Sequence, residues 1–277
     1  MFKYLDKFFL LVLLLSGKVM VAQSASKSLD SAEVKKVYRP WATFCSLRVE
    51  KVYEKGSTLY GEFSYIIPDE YASLNESYKS VLWLGYEQAL SEKWFGGISG
   101  KMNFVEEGSR SFFTRLNLAH RGSIGKLFLY KEFAFEHLYY ASEPNYSRKA
   151  EGRVSASLGL GRSFYVAHRP LYIGVNYRLF LNFDFQDDKS SLYDKRKIDR
   201  TKLRFDVAYQ FLPHWSLGLY CLRDTEYFYT LGQYDINNNP IVPDYKVNQI
   251  TQGLGIVLTC LLYNEKSDKY MPGLPSR

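Results

Sequence analysis

From Leu171 to Phe183 the chain alternates with a period of two. Leu171, Ile173, Val175, Tyr177, Leu179, Leu181 and Phe183 take one parity, and Tyr172, Gly174, Asn176, Arg178, Phe180 and Asn182 take the other. A helix brings together residues three and four apart, so it would mix these two sets, whereas a β-strand sends them to opposite faces. The run is long for a water-soluble strand, which typically has about 5–6 residues. It suits a tilted membrane strand of about 9–11 residues with an extension beyond the bilayer. Thr201–Gln210 repeats the pattern with more contrast: Leu203, Phe205, Val207 and Tyr209 alternate with Lys202, Arg204, Asp206 and Ala208. Such a strand either packs its apolar side on a soluble core or turns it to lipid with its charges inward.

Parity alone does not choose between the two, but the rest of the chain does. Alternating segments recur at Thr58–Ile67, Val81–Gln88, Trp94–Phe104, Ser111–His120, Leu127–Tyr139, Glu151–Leu160, Trp215–Cys221 and Asn248–Leu258. With the first two this makes ten strands. Their connections alternate in length. Short ones fall at Leu90–Lys93, Arg121–Gly125, Val166–Pro170 and Leu212–His214. Longer ones fall at Pro68–Lys79, Ala141–Ala150, Asp184–Arg200 and Leu231–Lys246, and Val105–Arg110 is intermediate. Outer-membrane barrels have short periplasmic turns and longer external loops. An even count returns both ends of the barrel to the short-turn side, so Trp41–Tyr53, which alternates loosely, is set apart as an N-terminal segment or an extra strand. Trp83, Trp94, Tyr209 and Trp215 lie near strand ends, where aromatic girdles sit.

The composition agrees. Aromatic residues make up 17% of the 277 residues, yet mean hydropathy is only −0.26. Grease this abundant in a polar chain must be finely interleaved with polar residues. The start of the chain, with Lys3, Lys7, the apolar run Phe8–Leu15 and Val21-Ala22-Gln23, reads as a secretory signal peptide cut after Ala22. The division expected is residues 1–22 signal peptide, 23–57 N-terminal periplasmic segment or extra strand, 58–263 barrel and 264–277 C-terminal tail. Cys45, Cys221 and Cys260 are odd in number and widely spaced, so they form neither a disulfide framework nor a metal cluster. The expected fold is all-β: an antiparallel up-and-down transmembrane β-barrel of about ten strands, with eight to twelve as the bracket.

The stretches Val81-Leu82-Trp83-Leu84-Gly85-Tyr86-Glu87, Trp94-Phe95-Gly96-Gly97, Ser111-Phe112-Phe113-Thr114-Arg115 and Arg204-Phe205-Asp206 carry a resemblance. Between Val81 and Leu262 the chain resembles the uncharacterised small outer-membrane barrels of Gram-negative bacteria, a group known as a domain of unknown function. The resemblance is one of pattern and layout. It implies a barrel in the outer membrane, inserted by the barrel-assembly machinery, and supplies no activity.

Parity puts Lys101, Arg115, Glu132, Glu136, Arg153, Arg178, Lys202, Arg204 and Asp206 on the lumen face. A narrow barrel is filled by side chains, and buried charges need partners. The mixture of signs therefore reads as pairs that plug the lumen. A selective pore would favour rings of one sign. The expected role is structural or binding at the cell surface, with a narrow channel for small solutes and a lipid A or phospholipid hydrolase as alternatives. The basic loop residues Lys189, Lys195, Arg196, Lys197 and Arg200 suit lipopolysaccharide phosphates. No catalytic signature stands out, and His137, Ser142 and Glu143 are the least unpromising set for lipid chemistry. No cofactor, metal or nucleic-acid motif is present, although the net charge is +7.

Overall fold

Alternating stretches bounded by turn residues fold as β-structure throughout. The computed structural model describes residues 34–53, 56–68, 79–105, 110–141, 150–183, 198–230, 233–234, 240–242 and 245–263, and no helix occurs among them. The strands are β1 (Val34–Tyr38), β2 (Ala42–Val52), β3 (Thr58–Pro68), β4 (Lys79–Ala89), β5 (Trp94–Val105), β6 (Arg110–Ile124), β7 (Leu127–Ala141), β8 (Ala150–Val166), β9 (Arg169–Phe183), β10 (Ile198–Leu212), β11 (Trp215–Thr230), β12 (Gln233–Tyr234), β13 (Pro240–Val242) and β14 (Tyr245–Tyr263).

From β2 to β11 each strand pairs with the next, and β11 pairs with β14, which closes back on β2. The result is a closed barrel of eleven strands, with β1 outside the count. Ten of the pairings join sequence neighbours in the barrel. The eleventh, β14 to β2, is parallel and runs from Gly253 opposite Ala42 to Tyr263 opposite Val52. Ahead of that stretch β14 pairs with β1, and Arg39 donates its N–H to the Ile250 carbonyl at 2.9 Å. Separately, β12 and β13 form a small antiparallel pair of their own.

The strand count differs from the ten read in the sequence by one. The extra strand is β2, within the segment Trp41–Tyr53 that an even count had set aside. An odd number of strands closes only if the first and last run the same way, and the parallel seam does this. The chain therefore enters the barrel at the long-loop end and leaves it at the short-turn end. Both ends do not return to one side.

The short turns are tightly held. Gly125 (φ 60°) and Lys126 link β6 to β7, while Ala167 (φ 49°) and His168 (φ 62°) link β8 to β9. Two-residue hairpins with positive φ match the strand twist. Arg121–Ser123 belong to β6 and not to the turn expected there. Strands also tie down the neighbouring turns: Arg121 on β6 donates its N–H to the Lys93 carbonyl at 2.8 Å and Leu261 on β14 to that of His214 at 2.7 Å.

The two faces of the strands have opposite chemistry, in the reverse of a soluble protein. The exposed outer positions are apolar: Leu84 (57%), Ile98 (57%), Leu116 (56%) and Leu219 (51%) are examples. The buried inner positions carry charged and polar groups among rings and small apolar residues: Glu87 and Glu132 are each 1% exposed, Arg115 is 6% exposed, and Tyr60, Tyr172 and Phe180 are buried beside them. On Thr201–Gln210, Leu203 and Phe205 face out, and Asp206 is buried inside. Trp83 departs from the girdle reading. Its parity is that of Val81, Gly85 and Glu87, and it meets Tyr60 edge-on at 5.9 Å inside the barrel.

Candidate functional site

With neighbouring strands about 4.8 Å apart and a tilt of about 40°, eleven strands give a backbone diameter of roughly 22 Å. Only long side chains meet across such an interior, and Arg, Glu and Tyr fill it. At its centre Glu132 on β7 receives three donors. Arg115 on β6 makes a close ion pair with its Oε1, Arg178 on β9 reaches the same oxygen at 2.9 Å, and the Tyr130 hydroxyl donates to Oε2 at 2.7 Å. Two repeats of the pleat further along β7, Glu136 takes Nε and Nη2 of Arg153 at 2.9 and 2.5 Å, with Arg115 Nε at 3.6 Å. Four consecutive strands thus share two carboxylates and three guanidinium groups.

Further pairs continue the lining. Arg200 holds Asp224 through Nε at 2.8 Å and Nη2 at 2.5 Å, and Lys202 reaches the same carboxylate at 3.1 Å. Arg204 binds Asp206 at 2.7 Å and stacks on Tyr220, 3.8 Å from its ring centre. Arg121 binds Glu87 at 2.5 Å and lies 4.1 Å from the Phe95 ring centre. Arg48 bridges Glu50 at 2.5 Å and Glu62 at 3.3 Å.

Rings join these pairs into a continuous lining. Phe113 lies beneath Lys101 (5.5 Å) and Arg153 (5.9 Å), and Phe180 lies beneath Arg153 (4.6 Å) and Lys202 (5.8 Å). Cation and ring alternate along Lys101–Phe113–Arg153–Phe180–Lys202, each contact favourable in a desolvated setting. Tyrosines pack closely on glycines. Tyr60 covers Gly85, Tyr172 covers Gly161 and Gly174, and Tyr220 covers Gly255, each so closely that a methyl group on the glycine would strike the ring.

All nine lumen charges read from parity lie on the inner face. Arg115, Glu132, Glu136, Arg153 and Arg178 form one cluster, Lys202 joins Asp224, and Arg204 joins Asp206, while Lys101 sits over Phe113. Arg200, grouped in the sequence with the basic loop, is a member of β10 and is tied to Asp224 inside the barrel. Lys189, Lys195, Arg196 and Lys197 lie outside the described residues. So do Ser142 and Glu143. His137 is on β7 opposite Thr114 and Gly152, with the outward parity of Phe133 and Phe135, so it does not face the lumen carboxylates.

Arg48, Glu50, Glu62, Glu87, Arg121 and Asp224 were missed in the sequence. Their signal was the same period of two, as in Ser46, Arg48 and Glu50 interleaved with Leu47 and Val49. Cys45 and Cys221 are free and exposed, and Cys260 is free and half-buried. Among the described residues no group of three His, Cys, Asp or Glu is placed to hold a metal ion. Compared with known proteins, the chain matches no family model, no curated protein and no solved structure. The fold and its interior define the class: a β-barrel with an apolar exterior and a paired, charged interior.

Proposed function

We propose that this chain is an outer-membrane β-barrel whose lumen is largely filled by its own side chains, with a structural or binding role at the cell surface. The observation that carries this reading is the inverted pattern. Exposing a large aliphatic side chain to water forgoes about 1.5–3 kcal/mol each, and the outer face presents such residues on strand after strand. Facing hydrocarbon, the same residues incur no such loss. The interior supports a filled lumen over an open conduit. Arg115, Arg153, Arg178, Arg200 and Arg204 are committed to carboxylates within the barrel, and tyrosines occupy the space above the glycines.

The test is a gel of the purified outer-membrane fraction, run with and without boiling and probed for this chain. A folded membrane barrel is expected to resist SDS and to shift on boiling. Recovery in the soluble periplasm with no shift would overturn the reading in favour of a secreted barrel. Planar-bilayer recording then addresses the lumen: steady unitary openings would replace the filled lumen with a narrow channel.

A further inference from the structure

The rim at the short-turn end carries a pronounced charge bias on its outer side. Lys51 on β2, Lys131 on β7, Arg162 on β8 and Arg169 on β9 have outward parity and lie within about five residues of the short turns. Lys93 and Lys126 are exposed in the turns themselves. Among the described residues of this rim outside the lumen, Glu92 is the one acid. The inward carboxylate of that end, Glu87, is bound to Arg121. Two of the cations lie along the aromatic residues of the rim. Lys51 is 5.4 Å from the Tyr53 ring centre and Arg162 is 4.8 Å from that of Phe164. Phe164 (39%), Tyr165 (80%) and Phe211 (40%) are exposed at the same end.

We infer that this rim binds the phosphate groups of anionic phospholipids. The inference rests on the membrane reading above and adds to it the chemistry of the leaflet that the short turns meet. Three facts combine. Long basic side chains extend their apolar stems along hydrophobic surface and deliver the charge to the headgroup level. Rings at a bilayer interface sit at that level. Each Lys or Arg beside an anionic leaflet contributes about 1 kcal/mol, or roughly fivefold in binding. Among the described residues, six cations against one acid give the rim a preference for negative headgroups that an evenly mixed rim would lack. Lys131 and Arg162 reach from deeper on the strands than Lys93 and Lys126. The first two therefore meet phosphates at the edge of the apolar belt, and the turn lysines meet them from the water.

The experiment uses the full folded chain and two sets of vesicles, one of phosphatidylcholine alone and one with phosphatidylglycerol as about a third of the lipid. Flotation is measured first. Native mass spectrometry of protein gently extracted from the mixed vesicles then counts the lipids retained. The expected result is flotation with both sets, with phosphatidylglycerol retained in preference to phosphatidylcholine. The double variant Lys131→Gln with Arg162→Gln should lower that preference about twenty-five-fold. A variant away from this rim, Lys36→Gln on the exposed strand β1, should leave it unchanged and controls for general loss of charge. Equal retention of the two lipids, or an unchanged preference in the double variant, overturns the inference while flotation still stands. Failure of the folded chain to float with either set overturns the membrane reading itself.

Discussion

Glu132 has no freedom to lose a partner. It is 1% exposed and accepts from Arg115, Arg178 and Tyr130. Replacing it by leucine leaves two guanidinium groups in a low-dielectric interior with one fewer carboxylate between them. Uncompensated buried charge of this kind costs about 3–5 kcal/mol. Glu132→Leu is therefore expected to lower the denaturant midpoint of the folded barrel sharply. A midpoint equal to wild type would mean that the pairs are not desolvated. The glycines make a second prediction of the opposite kind. Gly255→Ala puts a methyl group into the Tyr220 ring and is expected to destabilise the barrel by about 1–3 kcal/mol through overpacking. Adding Tyr220→Leu should recover part of that loss, and a double variant no better than the single would count against direct contact. At this scale the sequence was half legible. Alternation put Arg204 and Asp206 on the inner face without difficulty. It did not show which charge meets which, because partners such as Arg178 and Glu132 are 46 residues apart and meet only through the register of intervening strands.

A single strand carries the sharpest test of what surrounds the barrel. Leu116 is 56% exposed near the middle of β6, opposite Ile98 on β5 and Phe135 on β7. On a surface in water, Leu116→Arg would change stability by less than about 0.5 kcal/mol. At the midplane of a bilayer the same change costs about 2–4 kcal/mol. Folding of the variant into vesicles, read by urea titration, is expected to show the larger figure. A neutral result would leave the outer face in water. The elements themselves were the most legible part of the chain, since each strand announces itself by parity and each short turn by Gly125, Pro213 or a neighbour. β2 was visible too, in Cys45, Leu47 and Val49 against Ser46, Arg48 and Glu50. An all-antiparallel closure demands an even count, which leaves this segment as either an N-terminal extension or an extra strand. Nothing in local sequence tells a strand that its second neighbour will run parallel to it.

That closure is the least ordinary property of the whole molecule, and native cysteines make it testable. Cys260 on β14 lies directly opposite Val49 on β2, and both have outward parity. Paired strands about 4.8 Å apart bring opposed residues within the Cα separation of about 4.4–6.8 Å that a disulfide needs. With Cys45→Ser and Cys221→Ser in the background, Val49→Cys is expected to cross-link to Cys260 under mild oxidation. A single linked peptide joining β2 to β14 should appear by mass spectrometry. Absence of the link, with both thiols titratable in the folded protein, would remove the parallel seam. The seam also governs how the protein can be rewired. In a barrel with an even strand count the two ends meet at one rim, and a few residues can join them to make a circular permutant. Here the seam comprises eleven residue pairs, so a linker from the end of β14 to the start of β2 must retrace about 35 Å of strand at about 3.3 Å per residue. Short-linker permutation is closed to this topology. By the same geometry, a reporter fused just ahead of β2 and another just after β14 stand at opposite mouths of the barrel, and on the membrane reading a single polypeptide displays one to each side.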